Sequence, residues 1–370
     1  MESPPGPEVR IDGRLYHYFG GTSYYGLHGH SAVIEAGCEG FRQYGLHTAT
    51  SRAGFGNSAP LLEVERRAAE HAGREDAFHF SSGYAANHIL VQAVEKADAV
   101  FVDDAAHFCV VEAAKLRGVP VHRFRPRDPD YLRAMLLMHL PPGGRPLVMS
   151  DGVVPATGKL PPLDAYAVLL EEFAPAVLMV DDAHGLGVLG LHGRGSLEHL
   201  GLDAITNGGQ APKGVEIYCG GTLGKAMGGF GGIITGTAAF MQRVRGASNY
   251  YDGASAPPVP VAMAAAKALE IIAGDPSYLA DLRRNTLHLR AGLKALGLDV
   301  HHEPSAQVGV AIGTAENMAR LHYELKEAGF IVPVTSYVGA GPEGIMRFAV
   351  CSRHSLTAID DLLATLQGLL

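Results

Sequence analysis

Short apolar runs alternate with amphipathic stretches along the chain from residue 77 onward. The runs that predict buried strands are 77–80, 99–102, 119–122, 146–149, 176–180, 215–219 and 232–235. Most are separated by stretches with helical spacing, at 85–95, 110–117, 131–138 and 164–172. Because alternation of strands and helices is typical of α/β proteins, we predict a mostly parallel sheet wrapped by helices.

The two ends of the chain have a different pattern. Residues 1–45 look irregular, with aromatic and glycine residues alternating over 16–29, and a helix is predicted at 61–71. After a Pro-rich break at 257–260, the pattern predicts helices at 261–273, 278–296, 315–328 and 357–370, and strands near 309–312 and 346–350. We therefore predict an N-terminal arm (1–45), a large domain (46–255) and a smaller α+β C-terminal domain (256–370).

Composition narrows the functional classes. The 370 residues are 47% hydrophobic and 18% charged, as expected for a globular enzyme. The net charge of −8 and the absence of a basic block argue against a nucleic-acid partner. No run reaches the ~18 apolar residues of a membrane span, and residues 1–14 do not form a signal peptide. We do not expect the four cysteines to form disulfides or a zinc site, and this fits a cytoplasmic location. They are Cys38, Cys109, Cys219 and Cys351.

One lysine lies in an unusually bare stretch. Lys225 is flanked by glycines over residues 220–228, with no other charged residue. A partly desolvated amine has a lowered pKa and can form a Schiff base with an aldehyde. The hydroxyl of Thr222 could reach a phosphate beside that aldehyde, which suggests pyridoxal phosphate (PLP). A Gly-rich surface turn with an incidental lysine is the alternative.

A second stretch supports the cofactor. The apolar run 176–180 ends at Asp181, and His184 follows, as expected where a parallel strand presents side chains at its carboxyl end. PLP needs a carboxylate at its pyridine nitrogen and polar groups near its phenolic oxygen. The alternative is that Asp181, Asp182 and His184 bind a metal in a hydrolase, although no second cluster of this kind follows another strand. We predict no metal site.

Ser82, Gly83 and Tyr84 lie between a predicted strand and a predicted helix. Backbone N–H groups at the start of a helix bind phosphate well, so these residues are a candidate phosphate site, and an ordinary serine N-cap is the alternative. His107 follows the strand 99–102, and Arg347 lies in the late strand. An arginine there suits a carboxylate, and an exposed edge-strand arginine is its alternative.

These motifs together resemble the α-oxoamine synthases, a family of fold-type I PLP enzymes that includes 8-amino-7-oxononanoate synthase, glycine C-acetyltransferase and serine palmitoyltransferase. Residues 181–185 (Asp-Asp-Ala-His-Gly) are similar to the family's Asp-Glu-Ala-His-Gly, and 221–228 to its Gly-Thr-Leu-Gly-Lys-Ala-Leu-Gly. Residues 82–87 match its Ser-Gly-Phe/Tyr-x-Ala-Asn, and 23–27 look like its Asn-Tyr-Leu-Gly-Leu segment.

The resemblance implies roles for these residues. Lys225 would hold PLP and remove the Cα proton, while Asp181 meets the pyridine nitrogen and His184 the ring oxygen. His107 would stack on the ring and assist catalysis, and Arg347 would bind the carboxylate of the amino acid. The implied reaction is a decarboxylative condensation of an α-amino acid with an acyl-CoA or acyl-carrier-protein thioester, in a homodimer with shared active sites.

The chain also departs from the family pattern on the substrate side. The family's serine after Glu-Gly-x-x is Pro155, and its threonine before a Val-Pro turn is Val338. His47 replaces a glycine, Gly253 and Ala254 replace a Ser-Thr pair with Ser255 one step later, and extra residues lie near 207–214. Two other functions therefore stay open: another fold-type I activity (aminotransferase, aldolase or racemase), and a non-catalytic partner subunit.

Overall fold

The first 45 residues are more regular than the sequence predicts. In the computed structural model, which describes residues 1–209 and 212–370, strands β1 (Glu8–Ile11) and β2 (Arg14–Tyr18) form an antiparallel hairpin. Helix α1 follows over Ser31–Tyr44. The expectation of an irregular segment is therefore wrong for residues 31–44.

Two glycines explain why this helix was missed. Gly37 and Gly40 lie inside α1, where glycine costs about 1 kcal/mol relative to alanine. They also face the helix Val259–Gly274, and a Cβ added to Gly40 would lie 2.6 Å from the Cα of Pro260. Close packing between the two helices thus stabilises α1 where local propensity does not.

Each of the seven predicted apolar runs contributes a strand to the central sheet. The bounds are β3 (Asp76–Phe80), β4 (Ala99–Asp103), β5 (Val121–Phe124), β6 (Pro146–Asp151), β7 (Ala176–Asp181), β8 (Val215–Thr222) and β9 (Gly232–Gly236). The order across the sheet is β3-β9-β8-β7-β6-β4-β5. Strands β8 to β5 are parallel to one another, and β9 runs antiparallel to β3 and β8. The prediction of a mostly parallel sheet is confirmed.

Helices cover both faces of this sheet, and every residue of β4, β6 and β7 is buried. The helices are α2 (Ala59–Ala72), α3 (Ala86–Ala93), α4 (Phe108–Lys115), α5 (Pro129–His139), α6 (Leu163–Leu170), α7 (Ser196–His199), α8 (Ala238–Ala247) and α9 (Asn249–Gly253). Helices α3, α4 and α8 pack on one face through residues such as Ile89 and Met241. Helices α5 and α6 pack on the other through Leu136 and Tyr166.

The C-terminal part is α+β, as predicted. It contains α10 (Val259–Gly274), α11 (Ser277–Ala295), β10 (Gln307–Val310), α12 (Ala315–Glu327), β11 (Phe330–Ile331), β12 (Val334–Thr335), β13 (Ile345–Ala349) and α13 (Leu356–Leu369). Strand β13 pairs antiparallel with β10 and β12.

The N-terminal segment packs against this C-terminal part. Strand β2 pairs parallel with β11, and Phe19 and Tyr24 share a buried cluster with Val308 and Phe348. The division of the chain at residues 45 and 255 stays a prediction. Among the described residues, none of the helices combines the length and the apolar character needed to cross a bilayer.

Candidate active site

The carboxyl ends of the parallel strands deliver polar side chains to one edge of the sheet, as parallel topology requires. Asp181 is the last residue of β7, and Asp151, the last of β6, is its register partner. A cavity of about 270 Å³ opens at this edge. Its lining includes every residue predicted to bind the cofactor: Ser82, Gly83, Tyr84, His107, Asp181, His184, Thr222 and Lys225.

Lys225 lies on the loop after β8, with its amine close to carboxylates. Burial lowers the pKa of the Lys225 amine, while the charges of Asp181 and Asp151 act in the opposite direction. The loop closes tightly, because Gly228 has φ +67° and the Gly229 N–H donates to the Leu223 carbonyl at 2.9 Å. A lowered pKa makes the neutral, nucleophilic amine more accessible at neutral pH.

Three donors hold the Asp181 carboxylate in place. Oδ2 accepts from the Asn87 amide at 2.6 Å and from the Cys109 thiol at 3.2 Å, and Oδ1 accepts from the Ala183 N–H at 3.0 Å. Burial and the neighbouring Asp181 charge raise the pKa of Asp151 well above its ordinary value. Asp151 therefore takes up a proton more readily than an exposed aspartate does.

His107 caps the start of α4. Its backbone N–H donates to Asp151 Oδ2 at 2.8 Å, and its Nδ1 lies 2.9 Å from the Cys109 sulfur. The ring is flanked by Tyr84 and Tyr337, each with a centroid 5.7 Å away. Burial lowers the pKa of the imidazole, so a neutral aromatic ring is presented to the cavity.

His184 belongs to a buried polar group that joins the cavity to Arg347. Its Nδ1 lies 2.9 Å from the Tyr24 hydroxyl, which also receives a hydrogen bond from Arg347 Nη2 at 3.3 Å. Burial lowers the pKa of His184 well below its ordinary value, with the positive charges of Lys225 and Arg347 acting in the same direction.

Arg347 itself is not among the residues that line the cavity. Its Nε donates to the Pro155 carbonyl at 3.1 Å and its Nη1 to the Gly21 carbonyl at 3.2 Å. Pro155 does line the cavity. The proline that replaces the family's serine therefore orients the arginine through its carbonyl oxygen.

The candidate phosphate end lies where the start of α3 meets β8. The Ser82 hydroxyl accepts from the Tyr84 N–H at 3.3 Å, as in an N-cap, and a Cβ on Gly83 would lie 2.7 Å from the Thr222 Cβ. Only glycine allows this approach. The Thr222 hydroxyl donates to the Gly231 carbonyl at 2.8 Å, so its hydrogen is already used within the loop.

The other departures lie outside the cavity. Val338 is not a lining residue, and Ser255 approaches the site only through its backbone, whose carbonyl accepts from the Ser81 hydroxyl at 3.3 Å. In the segment 207–214, Asn207 bridges β8 and β9 by donating to the Cys219 and Thr235 carbonyls, both at 2.7 Å. Residues 210 and 211 of that segment lie outside the described part of the chain.

The sequence did not assign four residues of this site: Tyr24, Asn87, Cys109 and Asp151. Each lies inside or beside a motif that was recognised, but a contact between distant segments gives it its role. Asn87 ends the motif 82–87, and only the packing of α3 on β7 shows that its amide meets Asp181. The sequence feature that could have indicated this role is the polar Asn87 near the start of a largely apolar helix.

The geometry does not favour the metal alternative. Asp182 points away from Asp181, since its Oδ2 accepts from the Ser196 N–H at 2.8 Å while Asp181 faces Asn87. Within residues 1–209 and 212–370, no three acidic, histidine or cysteine side chains are grouped to hold a metal ion.

Comparisons with known proteins agree with the fold and the site. The chain matches the model of the family described as aminotransferase class I and II over residues 20–366. It is 34% identical over 369 residues to the 8-amino-7-oxononanoate synthase of Nitrosococcus oceani, covering 99% of this chain and 94% of that protein. The enzyme of the same name from Methylococcus capsulatus is 35% identical over 371 residues, with 99% and 92% covered.

Solved structures place the fold in the same group. The serine palmitoyltransferase of Sphingomonas wittichii has a TM-score of 0.89 at 26% identity, with 100% of this chain and 91% of that chain covered. Another serine palmitoyltransferase, solved with its PLP internal aldimine, gives a TM-score of 0.88 at 26% identity, with 100% and 90% covered. The resemblance inferred from the motifs and the fold-type I architecture are both confirmed. The chain belongs to the aminotransferase class I and II family and, within it, to the α-oxoamine synthases.

Proposed function

We propose that this protein is a PLP-dependent acyltransferase that condenses an α-amino acid with an acyl thioester and releases CO₂, giving an α-amino ketone. The supporting observation is the meeting of Lys225, Asp181 and His107 in one cavity at the carboxyl ends of the strands. Relatives named 8-amino-7-oxononanoate synthase and neighbours named serine palmitoyltransferase belong to the same group of enzymes.

The residues fit PLP by their chemistry. Lys225 offers an amine of lowered pKa for the aldehyde, Asp181 an oriented carboxylate for the pyridine nitrogen, and His184 a neutral imidazole for the ring oxygen. Ser82, Gly83 and Tyr84 offer backbone N–H groups for the phosphate, and the lack of a Cβ on Gly83 lets this turn lie against Thr222. When bound, PLP supplies an aldehyde and a ring that accepts electrons from the substrate Cα.

Three residues of the chain would have distinct roles in the reaction. Lys225 Nζ takes the Cα proton, a task suited to an amine whose pKa is lowered by burial. Arg347, fixed by the Pro155 and Gly21 carbonyls, orients the amino acid carboxylate. His107, whose backbone N–H donates to Asp151, lines the cavity with its ring and would pack that ring against the bound cofactor.

Lys225→Ala tests this function. We expect loss of the absorbance at about 420 nm that PLP joined to a lysine gives, and a fall of about 10³-fold in thiol release from acyl-CoA plus amino acid. Lys115→Ala, which changes an exposed lysine on α4, is the control and should retain both signals. A Lys225→Ala protein that keeps both colour and turnover would contradict the proposal. Keto acid formation without thiol release by the wild type would instead indicate an aminotransferase.

We also propose a cytoplasmic homodimer. Four free cysteines fit a reducing compartment. Two aromatic side chains that line the cavity are exposed, Phe230 at 56% and Tyr84 at 41%, and Phe55 elsewhere in the chain is 99% exposed. A second subunit would cover such side chains. Light scattering that gives the mass of one chain would contradict the dimer.

A further inference from the structure

The hydroxyl of Tyr24 lies at the centre of three polar side chains beneath the cavity. It is 2.9 Å from His184 Nδ1, 3.0 Å from the Gln307 side-chain oxygen and 3.3 Å from Arg347 Nη2. Tyr24 and Gln307 are buried, at 1% and 0% exposure, so bulk solvent does not reach this group. Every hydrogen in it has to be assigned to a protein atom.

The chemistry of the partners leaves two arrangements. Arg347 can only donate, so it uses one lone pair of the Tyr24 oxygen, and the hydroxyl has a single hydrogen to give. Either Tyr24 donates to Gln307 and receives the Nδ1 hydrogen of His184, or it donates to His184 Nδ1 and receives from Gln307. A neutral imidazole carries one hydrogen, so the choice decides which nitrogen of His184 is protonated.

The surroundings of Gln307 distinguish the two arrangements. With its oxygen toward Tyr24, the buried Nε2 of Gln307 has no partner among the described residues. A buried donor without a partner is unfavourable. Rotating the amide by 180° exchanges nitrogen and oxygen in nearly the same space and lets Nε2 donate to Tyr24. The arrangement in which Tyr24 donates to His184 Nδ1 and receives from Gln307 is therefore favoured, because it gives the buried Nε2 donor a partner.

We propose that Tyr24 and Gln307 are positioning residues that fix His184 in the tautomer with hydrogen on Nε2, the ring nitrogen left for the cavity. In this state His184 donates a hydrogen bond to an oxygen in the cavity, whereas the other tautomer could only accept one. Arg347 strengthens the arrangement, because a charged donor on the Tyr24 oxygen makes its hydroxyl a better donor. The catalytic meaning of this inference rests on the proposed function, but the tautomer itself does not.

Nitrogen-15 NMR on histidine-labelled protein without PLP tests the inference. His184→Asn identifies the His184 signals by their loss. We expect the wild type to show hydrogen on Nε2 and an unprotonated Nδ1 across neutral pH. A wild-type His184 with hydrogen on Nδ1 would overturn the proposal.

Two variants test the residues that set the tautomer. Tyr24→Phe should shift His184 toward a mixture of tautomers, whereas Tyr25→Phe, which removes the neighbouring hydroxyl of an equally buried tyrosine, should not. Gln307→Glu should invert the tautomer as the introduced carboxyl ionises, because an acceptor takes the Tyr24 hydrogen. If both Tyr24→Phe and Gln307→Glu keep the wild-type pattern while circular dichroism shows an intact fold, the positioning role is overturned.

The outcomes separate this inference from the proposed function. A protein with the expected tautomer but no thiol release would refute the acyltransferase and leave the hydrogen-bond assignment standing. A protein that releases thiol while His184 carries its hydrogen on Nδ1 would do the reverse.

Discussion

The Cys109 thiol donates to Asp181 Oδ2 at 3.2 Å while its sulfur lies 2.9 Å from His107 Nδ1. One small side chain thus contacts both the carboxylate proposed for the pyridine nitrogen and the ring proposed to stack on the cofactor. Burial, followed by the charge of Asp181, raises the pKa of this thiol. The thiol therefore stays protonated and serves as a donor at neutral pH.

Asp181→Asn should make Cys109 more reactive. Loss of the carboxylate charge lowers the pKa of the thiol. Each unit by which the pKa falls raises the thiolate fraction about tenfold, and it raises the rate of alkylation roughly threefold because the thiolate also becomes less nucleophilic. Iodoacetamide labelling of the apoprotein followed by mass spectrometry would measure this rate. Cys351, whose pKa burial raises to about 11, is an internal control that should not change. Equal labelling of Cys109 in variant and wild type would show that the contact has no electrostatic effect.

Asp182→Asn should change how stability depends on pH. Burial raises the pKa of Asp182 from 3.8 to about 7. A carboxyl group whose pKa is higher in the folded than in the unfolded state stabilises the fold at low pH. This contribution is lost as the pH rises from the unfolded value of 3.8 to the folded value of about 7. We expect the free energy of unfolding of the wild type to fall relative to the variant by up to about 4 kcal/mol between pH 4 and pH 7.

Only the difference between the two proteins is informative for Asp182. Burial lowers the pKa of His79 and His354 to about 4, and these groups make stability rise with pH over part of the same range. Urea unfolding of both proteins at several pH values cancels that shared contribution. Parallel curves for wild type and variant would mean that Asp182 does not titrate in this interval.

Gly83→Ala should weaken cofactor binding if the turn at residues 82–84 is the proposed phosphate site. The new Cβ would lie 2.7 Å from the Thr222 Cβ, so the turn and β8 have to separate. Overpacking of this kind costs about 1–3 kcal/mol of unfolding free energy, and we expect a higher Kd for PLP in equilibrium dialysis. Gly246→Ala on α8 is the matched control, since nothing lies within 4 Å of its added Cβ. Unchanged PLP affinity in Gly83→Ala would remove this turn from the cofactor site.

Arg347→Ala should raise the KM for the amino acid and leave the KM for the acyl thioester nearly unchanged. A hydrogen bond to a charged group contributes about 1.5–3 kcal/mol, which corresponds to roughly a tenfold to hundredfold change in KM. Arg353→Ala, which changes an exposed arginine stacked on Tyr278, is the control. An effect confined to the acyl thioester would assign Arg347 to the other substrate.

The sequence was most informative where burial alone determines structure. The runs that form β4, β6 and β7 are apolar throughout because both faces are covered, and their bounds were predicted to within two residues. Strand β5 lies two residues later than predicted, at Val121–Phe124, because Pro120 precedes it and only its last residue is buried. Helix α1 was missed because its stability comes from contact with α10.

In the candidate site, too, the sequence did not predict features that depend on contacts between distant segments. Motifs indicated which residues gather around Lys225, since each motif follows a strand and the strands end at one edge. They did not indicate that Pro155 orients Arg347 through its carbonyl, or that Tyr24 joins Arg347 to His184. Those relationships depend on backbone atoms and on segments far apart in the chain, which carry no local pattern.

The packing of the N-terminal segment against the C-terminal part has a consequence for the order in which the site forms during synthesis. Tyr24 meets Arg347 across 323 positions of sequence, and β2 pairs with β11 near the C-terminus. Until β13, which carries Arg347, has been synthesised, the early segment lacks this partner, although Lys225 comes earlier in the chain. The contacts that join Tyr24 to Arg347 and His184 can therefore form only after residue 347 has been synthesised.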